Sequence, residues 1–309
     1  RMLALDFSQK SLDVQRNVVI EEFKQRYFNN PYGDIWLKLR PLAYKVHPYQ
    51  WPTIGKNIDH IAGASLEEVE DFFHRFYAPD NAILSISGNI TDEKALELVK
   101  KWFGDIPPAR YKRKALPMEP QQTEERRLVC EHNKVPADAI YKVYHMGDRQ
   151  SDNFYTCDTI SDILSNGQSS RLYINLIKNG KLFSEVDAYI TGDMDPGLFI
   201  FSGKLSEGVA IEEAEAAIQN EIDRFIEDPI SERELQKVIN KTEARISYSE
   251  INYQGKSANL AFFDYLGDIN LINSESNRYA EVSLDSIRQT ARELFSAKNC
   301  STLWYLKDK

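Results

Sequence analysis

The chain has 309 residues, of which 42% are hydrophobic, and this is enough for two domains of ordinary size, each with its own core. Its net charge of −9 and isoelectric point of about 5.2 argue against nucleic acid or an anionic membrane as a partner, because both need a basic surface. No apolar run reaches the roughly 18–20 residues that a membrane-spanning helix requires.

The first half of the sequence predicts mainly helices. Apolar residues recur with helical spacing over residues 12–28, and another helix begins at Ser65 with the capping-box sequence "SLEE". The segment "NAILSISGNI" (residues 81–90) alternates like a strand, and Thr91 caps the helix that follows it. Residues 107–125 are rich in proline and basic residues, and they predict a linker.

The second half predicts a mixture of strands and helices. Two strand-like runs, "RRLVCEH" and "AIYKVYHMG", precede helices near residues 154–164 and in "SSRLYINLIKNG". Alternating residues on both sides of "DMDPG" predict a hairpin. Helical segments follow around residues 211–227, 231–264 and 283–295, and "CSTLWYLK" predicts a final strand. This order of elements indicates an α+β fold.

An internal repeat relates the two halves. With an offset of 218 residues, "SLEEVEDFFHRFYAPDNAILSI" aligns without a gap with "SLDSIRQTARELFSAKNCSTLWY", so that Ser65 falls on Ser283 and Asn81 on Asn299. The same offset sets "LAY", which ends at Tyr44, against "LAF" in the second half. We therefore predict two similar tandem domains, each an antiparallel-rich sheet covered by helices, with the first domain truncated at its front.

The predicted domain boundaries follow from the repeat and the linker. Residues 1–106 form the C-terminal part of the first domain, 107–125 the linker, and 126–309 the second domain. The opening "RMLALDFSQKS" has no leading methionine and no signal-peptide pattern, which favours a fragment of a longer protein.

The three cysteines, Cys130, Cys157 and Cys300, are widely spaced and form no C-x-x-C pair. Neither a disulfide framework nor a cysteine zinc site is supported. Reduced, mostly buried thiols are expected, and these favour a cytoplasmic location, although any targeting segment would lie upstream.

Two adjacent acids, Glu21 and Glu22, lie in the first predicted helix. At about 100° per residue, Glu22 lies at the edge of the apolar stripe and Glu21 points away from it. A carboxylate beside apolar residues needs a partner, and helix geometry alone favours Arg26 at i+4. The 218-residue offset sets Glu22 against Asn240, so the second domain lacks this acid.

The sequence resembles the pitrilysin/insulinase family of zinc peptidases, which includes the mitochondrial processing peptidases. The resemblance begins in "LDVQRNVVIEEFKQRYFNNPYGDIWLKLRPLAYKVHPYQWPTIGKNIDHI" and continues through "FYAPDNAILSISGNI", "SSRLYINL" and "DPGLFIFSG". It covers nearly the whole chain. It implies a fragment of a zinc-dependent metalloendopeptidase that cleaves peptides or unfolded segments.

The resemblance also implies a metal ligand. In this family two histidines of an H-x-x-E-H motif and a glutamate on a later helix hold zinc, and that glutamate falls on Glu22. Gln15 stands one heptad earlier, where the family often has a second acid, and it could hydrogen-bond a ligand. No H-x-x-E-H occurs in the chain, and the family places it about 75 residues before the glutamate, upstream of Arg1. The chain alone is therefore expected to be inactive, with zinc held only by the complete protein.

Two further positions depart from the family pattern. Many family members use an arginine and a tyrosine of the second domain to bind substrate. The resemblance sets Ile177 and Ser184 at these two positions, and neither side chain can take that role. The resemblance therefore implies a homo- or hetero-dimer with a fold-related subunit that supplies them. The alternative is a non-catalytic scaffold or substrate-binding subunit of the same fold.

His47, in "HPYQWP", has no second histidine at ligand spacing. A role in holding its own loop is the favoured interpretation, and a metal ligand is the weaker one.

Overall fold

The structure is a computed structural model of the chain, and it describes residues 2, 5–109, 111, 114–132, 135–228 and 230–308. Most of the basic run in the predicted linker, Arg110, Lys112 and Arg113, lies outside the described residues. The α-helices are α1 (Gln9–Phe23), α2 (Ile35–Ala43), α3 (Ile58–Ala62), α4 (Leu66–Phe76), α5 (Asp92–Phe103), α6 (Phe154–Ser165), α7 (Ile211–Glu227), α8 (Glu232–Ser249), α9 (Tyr253–Tyr265), α10 (Glu275–Ala280) and α11 (Leu284–Leu294).

The described strands form one mixed five-stranded sheet in the second half of the chain. The strand order is β1-β5-β2-β4-β3, with β1 parallel to β5 and the other neighbours antiparallel. The α+β fold class is therefore confirmed, and so is the hairpin around "DMDPG", which joins β3 to β4. The strands are β1 (Arg126–His132), β2 (Ala139–His145), β3 (Phe183–Ile190), β4 (Leu198–Leu205) and β5 (Cys300–Lys307).

The described residues divide into two units. The first unit comprises Arg1–Asn29, Pro52–Leu116 and Arg245–Glu275, and the second comprises Asn30–Trp51, Pro117–Ala244 and Ser276–Lys309. Each unit thus takes a piece from both halves of the sequence. The predicted boundaries at 1–106, 107–125 and 126–309 remain a prediction from the repeat.

The core of the second unit lies on both faces of the sheet. On one face, Leu39 of α2 packs with Val143, Ile200 and Leu303. On the other face, Phe295, directly after α11, contacts the ring of Tyr144 in β2 and the rings of Phe199 and Phe201 in β4. The apolar run "LFIF" at the start of β4 suits this position, because both faces of the strand are buried there.

The internal repeat is confirmed by matching elements. Helices α4 and α11 begin and end 218 residues apart, and each starts with a serine capping box. The short 3₁₀ turns Pro79–Asn81 and Ala297–Asn299 have the same spacing. The side-chain amides of Asn81 and Asn299 donate to the carbonyl oxygens of Phe76 and Leu294, at 2.8 and 2.9 Å. Each copy therefore ends its helix with the same asparagine bond.

The predicted strand at residues 81–90 is wrong for the described structure. These residues carry no strand pairing, although Ala82 has extended dihedral angles. A strand needs a neighbour to satisfy its backbone groups, and the described residues of the first unit supply none. The apolar side chains of Ile83, Leu84 and Ile86 are exposed instead.

The single helical segment predicted at 231–264 divides into α8 and α9. The break falls at residues 250–252, where the Asn252 side chain caps α9 by accepting a hydrogen bond from the Gly255 N–H. Helical periodicity resumes directly after the break, which is why the pattern alone merged the two helices. No helix of the described residues combines the length and the apolar character needed to span a bilayer.

The cysteines are free thiols, as the sequence predicted. Cys157 and Cys300 are buried and Cys130 is partly buried. Burial raises the pKa of the Cys157 thiol to about 12, so this group stays protonated and unreactive at neutral pH.

Candidate functional site

Helix α1 positions the predicted metal ligand within the first unit. The Ser8 hydroxyl caps the helix by accepting from the Ser11 N–H, and Phe23 is buried at its C-terminal end. The helix then continues as one π-helical turn, Lys24–Phe28. Such π-helical turns are rare within helices. Where they do occur, they are often found at functional sites. Glu22 therefore lies in the last turn of the α-helix, two residues before the π-helical turn begins.

The structure separates the two acids as predicted. Glu21 pairs with Lys24 at 2.7 Å, and the Glu22 Oε1 accepts a hydrogen bond from the Arg26 Nη2 at 2.8 Å. Arg26 is the i+4 partner that helix geometry favoured, and the Glu22 side chain is half exposed. The neighbouring Val18 is exposed as well, so the edge of the apolar stripe faces solvent here.

The surface pair of Glu22 and Arg26 holds this carboxylate weakly. Exposed ion pairs of this type contribute about 0–1 kcal/mol. A metal ion could therefore replace the Arg26 guanidinium at little cost, and the carboxylate is a chemically suitable ligand for zinc. Among the described residues, no cluster of three or more histidine, cysteine, aspartate or glutamate side chains could hold a metal ion. The assignment of Glu22 as a metal ligand therefore remains a prediction from the resemblance.

The other positions singled out by the sequence lie on separate elements. Gln15 is exposed on α1, two helical turns before Glu22. Ile177 lies in a second π-helical segment, Tyr173–Asn179, of the second unit. Ser184 is exposed at the start of β3, where its hydroxyl donates to the Lys204 carbonyl oxygen at 3.2 Å. Gln15 and Glu22 thus share one helix of the first unit, whereas Ile177 and Ser184 lie in the second unit.

His47 holds its own loop, as predicted. The ring is buried, and its Nδ1 accepts from the Tyr49 N–H at 3.2 Å, which caps the 3₁₀ turn Pro48–Gln50. The Nε2 lies 3.4 Å from the Asp195 carboxylate. Because the Nδ1 accepts a hydrogen bond, the proton of the neutral ring is on Nε2 and points towards this acid.

A carboxylate clamp on the same loop was not predicted from the sequence. The Glu119 carboxylate accepts hydrogen bonds from the successive N–H groups of Lys45, Val46 and His47, at 2.8–2.9 Å. Partial burial raises the pKa of Glu119, but these three bonds outweigh it and hold the pKa below its usual range. The clamp joins positions more than seventy residues apart, and no spacing rule in the sequence connects them.

Replacing Glu119 with alanine is expected to lower the free energy of unfolding by about 1–2 kcal/mol, because three N–H groups lose a charged acceptor in a partly exposed place. Urea unfolding of the purified protein measures the change. The matched control is Glu124→Ala, an exposed acid a few residues further along the chain. Equal effects of the two substitutions would contradict a specific clamp.

A second charged cluster lies against the sheet of the second unit. Lys142 of β2 is almost fully buried, with its Nζ 3.0 Å from the Gln219 Oε1 and 3.4 Å from the Glu215 Oε1. Glu215 also accepts hydrogen bonds from Arg127 and from the indole N–H of Trp304, at 2.9 and 2.8 Å. These groups line an open cavity of about 400 Å³ between β-strands and α7. Lys142, Arg127 and Glu215 are paired with one another through Glu215, so we interpret this cluster as stabilising the fold.

Fold and sequence together define the class of protein. The chain is a duplicated α+β protein in which one copy carries an acid, Glu22, that the other copy lacks. The model of the peptidase M16 inactive domain matches residues 63–242, more than half of the chain. The chain belongs to this peptidase family, and the resemblance to pitrilysin-type zinc peptidases is confirmed.

Relatives of known name agree with this assignment. The chain is 26% identical to the zinc protease PqqE of Helicobacter pylori over 98% of its own length and 68% of that protein. It is 23% identical to the uncharacterized zinc protease YmxG of Bacillus subtilis, over 94% of its length and 69% of that protein.

Solved structures share the fold. A protease from Helicobacter pylori superimposes with a TM-score of 0.90 at 23% identity, covering 97% of this chain and 73% of that one. A peptidase M16 inactive domain from Pseudomonas fluorescens gives a TM-score of 0.86 at 14% identity, covering 98% of this chain and 71% of that one. At these identities the similarity establishes the fold alone.

Proposed function

We propose that the complete protein is a zinc-dependent endopeptidase acting on peptides or unfolded segments, and that Glu22 is one of its zinc ligands. The observation that carries the proposal is the position of Glu22. Its side chain is half exposed, it is held by a weak surface ion pair, and it lies two residues before a π-helical turn. The names of two relatives support zinc as the metal of the proposed site, because both are called zinc proteases.

Each residue of the proposed site has a defined task. Glu22 would exchange its Arg26 partner for the metal, and Arg26 is exposed enough to turn away into solvent. Gln15, two turns earlier on α1, would hydrogen-bond a neighbouring ligand and so fix its orientation. When bound, zinc polarises a peptide carbonyl and lowers the pKa of a coordinated water. Two histidines and a catalytic glutamate would come from an H-x-x-E-H segment that this chain lacks.

The experiment compares Glu22→Gln with Glu21→Gln in the complete protein. The two acids are neighbours on one helix, both are exposed, and each is paired with a basic residue. Removing a ligand is expected to weaken zinc affinity by at least about 100-fold and to abolish peptide cleavage, while Glu21→Gln leaves both unchanged. Zinc per chain is measured by elemental analysis after dialysis, and cleavage with an unstructured fluorogenic peptide. Unchanged zinc content in Glu22→Gln would remove Glu22 from the site.

A second candidate function is a non-catalytic scaffold or substrate-binding subunit of the same fold. Two observations favour it: the matched family model is described as an inactive domain, and Ile177 and Ser184 replace the substrate-binding pair. The same experiment separates the two functions. A complete protein without bound zinc and without cleavage in the wild-type form would support the scaffold.

A further inference from the structure

The cavity between the sheet of the second unit and α7 contains a side chain that is unusual in such a place. The cavity has a volume of about 400 Å³, and its lining comes mainly from β1, β2, β5 and α7. Lys142 is part of this lining, and only 4% of the residue is exposed. Lysine is almost never buried to this extent unless its charge is paired. The partners of this ammonium group therefore decide what the cavity can bind.

The Lys142 ammonium has one more hydrogen-bond donor than the described residues use. It carries three N–H groups and no acceptor. One N–H donates to the Gln219 Oε1 at 3.0 Å, and a second donates to the Glu215 Oε1 at 3.4 Å. No other side chain or carbonyl of the described residues accepts from Lys142. Because a buried donor without an acceptor is costly, a molecule in the cavity that offers an oxygen to the third N–H would be stabilised there.

Aromatic side chains form the apolar part of the lining. Tyr144, Phe295 and Trp304 all line the cavity. The rings of Tyr144 and Phe295 contact each other, with their centroids 5.2 Å apart, and the indole N–H of Trp304 is held by Glu215 at 2.8 Å. Small-molecule sites of about 300–1,000 Å³ combine such apolar walls with a few polar groups that fix the orientation of the ligand. The walls therefore favour a ligand that carries an aromatic ring.

The charged residues of the lining disfavour an anionic ligand. Glu215 pairs with both Lys142 and Arg127, and Glu125 pairs with Arg127 at 2.8 Å. Glu212, the third acid of the lining, forms no ion pair with a described residue. Two cations and three acids give this lining a formal charge of −1. A carboxylate would lose its hydration here without gaining an unpaired positive charge, whereas a neutral carbonyl oxygen would not.

We propose that this cavity binds a small neutral amide that carries an aromatic ring. The carbonyl oxygen of the ligand accepts the third N–H of Lys142, and its ring packs against the aromatic walls. The contacts of Glu215 stay in place, because the ligand uses only the remaining donor. Every residue of the lining belongs to the second unit, whereas Glu22 belongs to the first, so the proposal does not depend on the peptidase activity.

Isothermal titration calorimetry of the purified protein with two matched probes tests the class of ligand. N-acetyl-L-phenylalanine amide is neutral, and N-acetyl-L-phenylalanine carries a carboxylate on the same body. At pH 7 the amide is expected to bind with a Kd of about 1 mM or lower. The carboxylate probe is expected to bind at least about 5-fold more weakly, because it adds charge to an acidic lining.

Two results of the titration would overturn the proposal. Equal binding of the two probes, or tighter binding of the carboxylate, would show that the lining does not select a neutral ligand. Absence of amide binding would show that solvent is the partner of the third N–H. Neither readout involves zinc or peptide cleavage.

A matched pair of substitutions tests the place of binding. Ala216 and Asn220 are both exposed on α7, and only Ala216 lines the cavity. Ala216→Phe puts a ring into the cavity without removing a charged group, so it is expected to weaken amide binding at least about 10-fold. Asn220→Phe puts the same ring outside the cavity and should change the Kd by less than about 2-fold. Equal effects of the two substitutions would place the bound amide elsewhere.

Lys142→Met tests the donor. Methionine keeps an unbranched side chain and removes all three N–H groups, so the amide is expected to bind about 10-fold more weakly. Glu215 keeps Arg127 and Trp304 as partners in this variant, and circular dichroism establishes that it is folded. Unchanged amide affinity in the folded variant would remove Lys142 from the site. If the variant does not fold, the Ala216→Phe titration decides.

Discussion

Replacing Glu215 with alanine is expected to lower the free energy of unfolding by about 3 kcal/mol. The substitution leaves the buried ammonium of Lys142 with Gln219 as a neutral partner, and it removes the acceptor of the Trp304 indole N–H. Breaking a buried ion pair by removing one partner costs about 3–5 kcal/mol. The Gln219 side chain still accepts a hydrogen bond from Lys142, so we expect a loss at the lower end of this range. Urea unfolding followed by circular dichroism measures the change.

Glu21→Ala is the matched control for this prediction. Glu21 also forms an ion pair, with Lys24 at 2.7 Å, but both side chains are exposed. Its removal should change the free energy of unfolding by less than about 1 kcal/mol. Similar losses for Glu215→Ala and Glu21→Ala would show that burial of Lys142 does not set the cost.

The contribution of Glu215 should depend on pH in a defined direction. Burial raises the pKa of this carboxyl, but hydrogen bonds from Arg127 and the charge of Lys142 outweigh it, so the folded pKa lies below the usual value. A carboxyl group whose pKa is lower in the folded than in the unfolded protein stabilises the fold at pH values above its unfolded pKa, which is about 4.3. That stability is lost as the pH falls through the folded pKa. The difference between wild type and Glu215→Ala should therefore shrink only below about pH 4.3.

Replacing Leu39 with alanine is expected to destabilise the protein by about 3 kcal/mol. Leu39 is fully buried where α2 packs on the sheet of the second unit, against Val143, Ile200 and Leu303. Truncating such a leucine removes the free energy gained by burying its side chain and leaves a cavity. Together these effects lower the free energy of unfolding by about 2–5 kcal/mol. The midpoint and slope of urea unfolding report the change.

Leu116→Ala provides the same chemical change at an exposed position. Leu116 is 51% exposed in the predicted linker, so its truncation should cost less than about 0.5 kcal/mol. If Leu39→Ala were as mild as Leu116→Ala, α2 would not be anchored in the core of the second unit.

The sequence alone determined many of the local elements of this protein, and it separated the two neighbouring acids Glu21 and Glu22. Ser65 and Ser283 fixed the starts of α4 and α11, because a cap involves only residues within one helical turn. The alternation in "RRLVCEH" and "CSTLWYLK" placed β1 and β5, and helical spacing separated Glu21 from Glu22.

Only the tertiary structure decided which partners these elements have. Residues 82–90 have the alternation of a strand, yet they form no strand pairing with any other described segment, because pairing depends on a neighbour that is distant in sequence. The clamp from Glu119 to residues 45–47 and the transfer of α2 to the second unit likewise join distant positions. Caps and periodicity are properties of adjacent residues, whereas burial and pairing depend on contacts that sequence spacing does not encode.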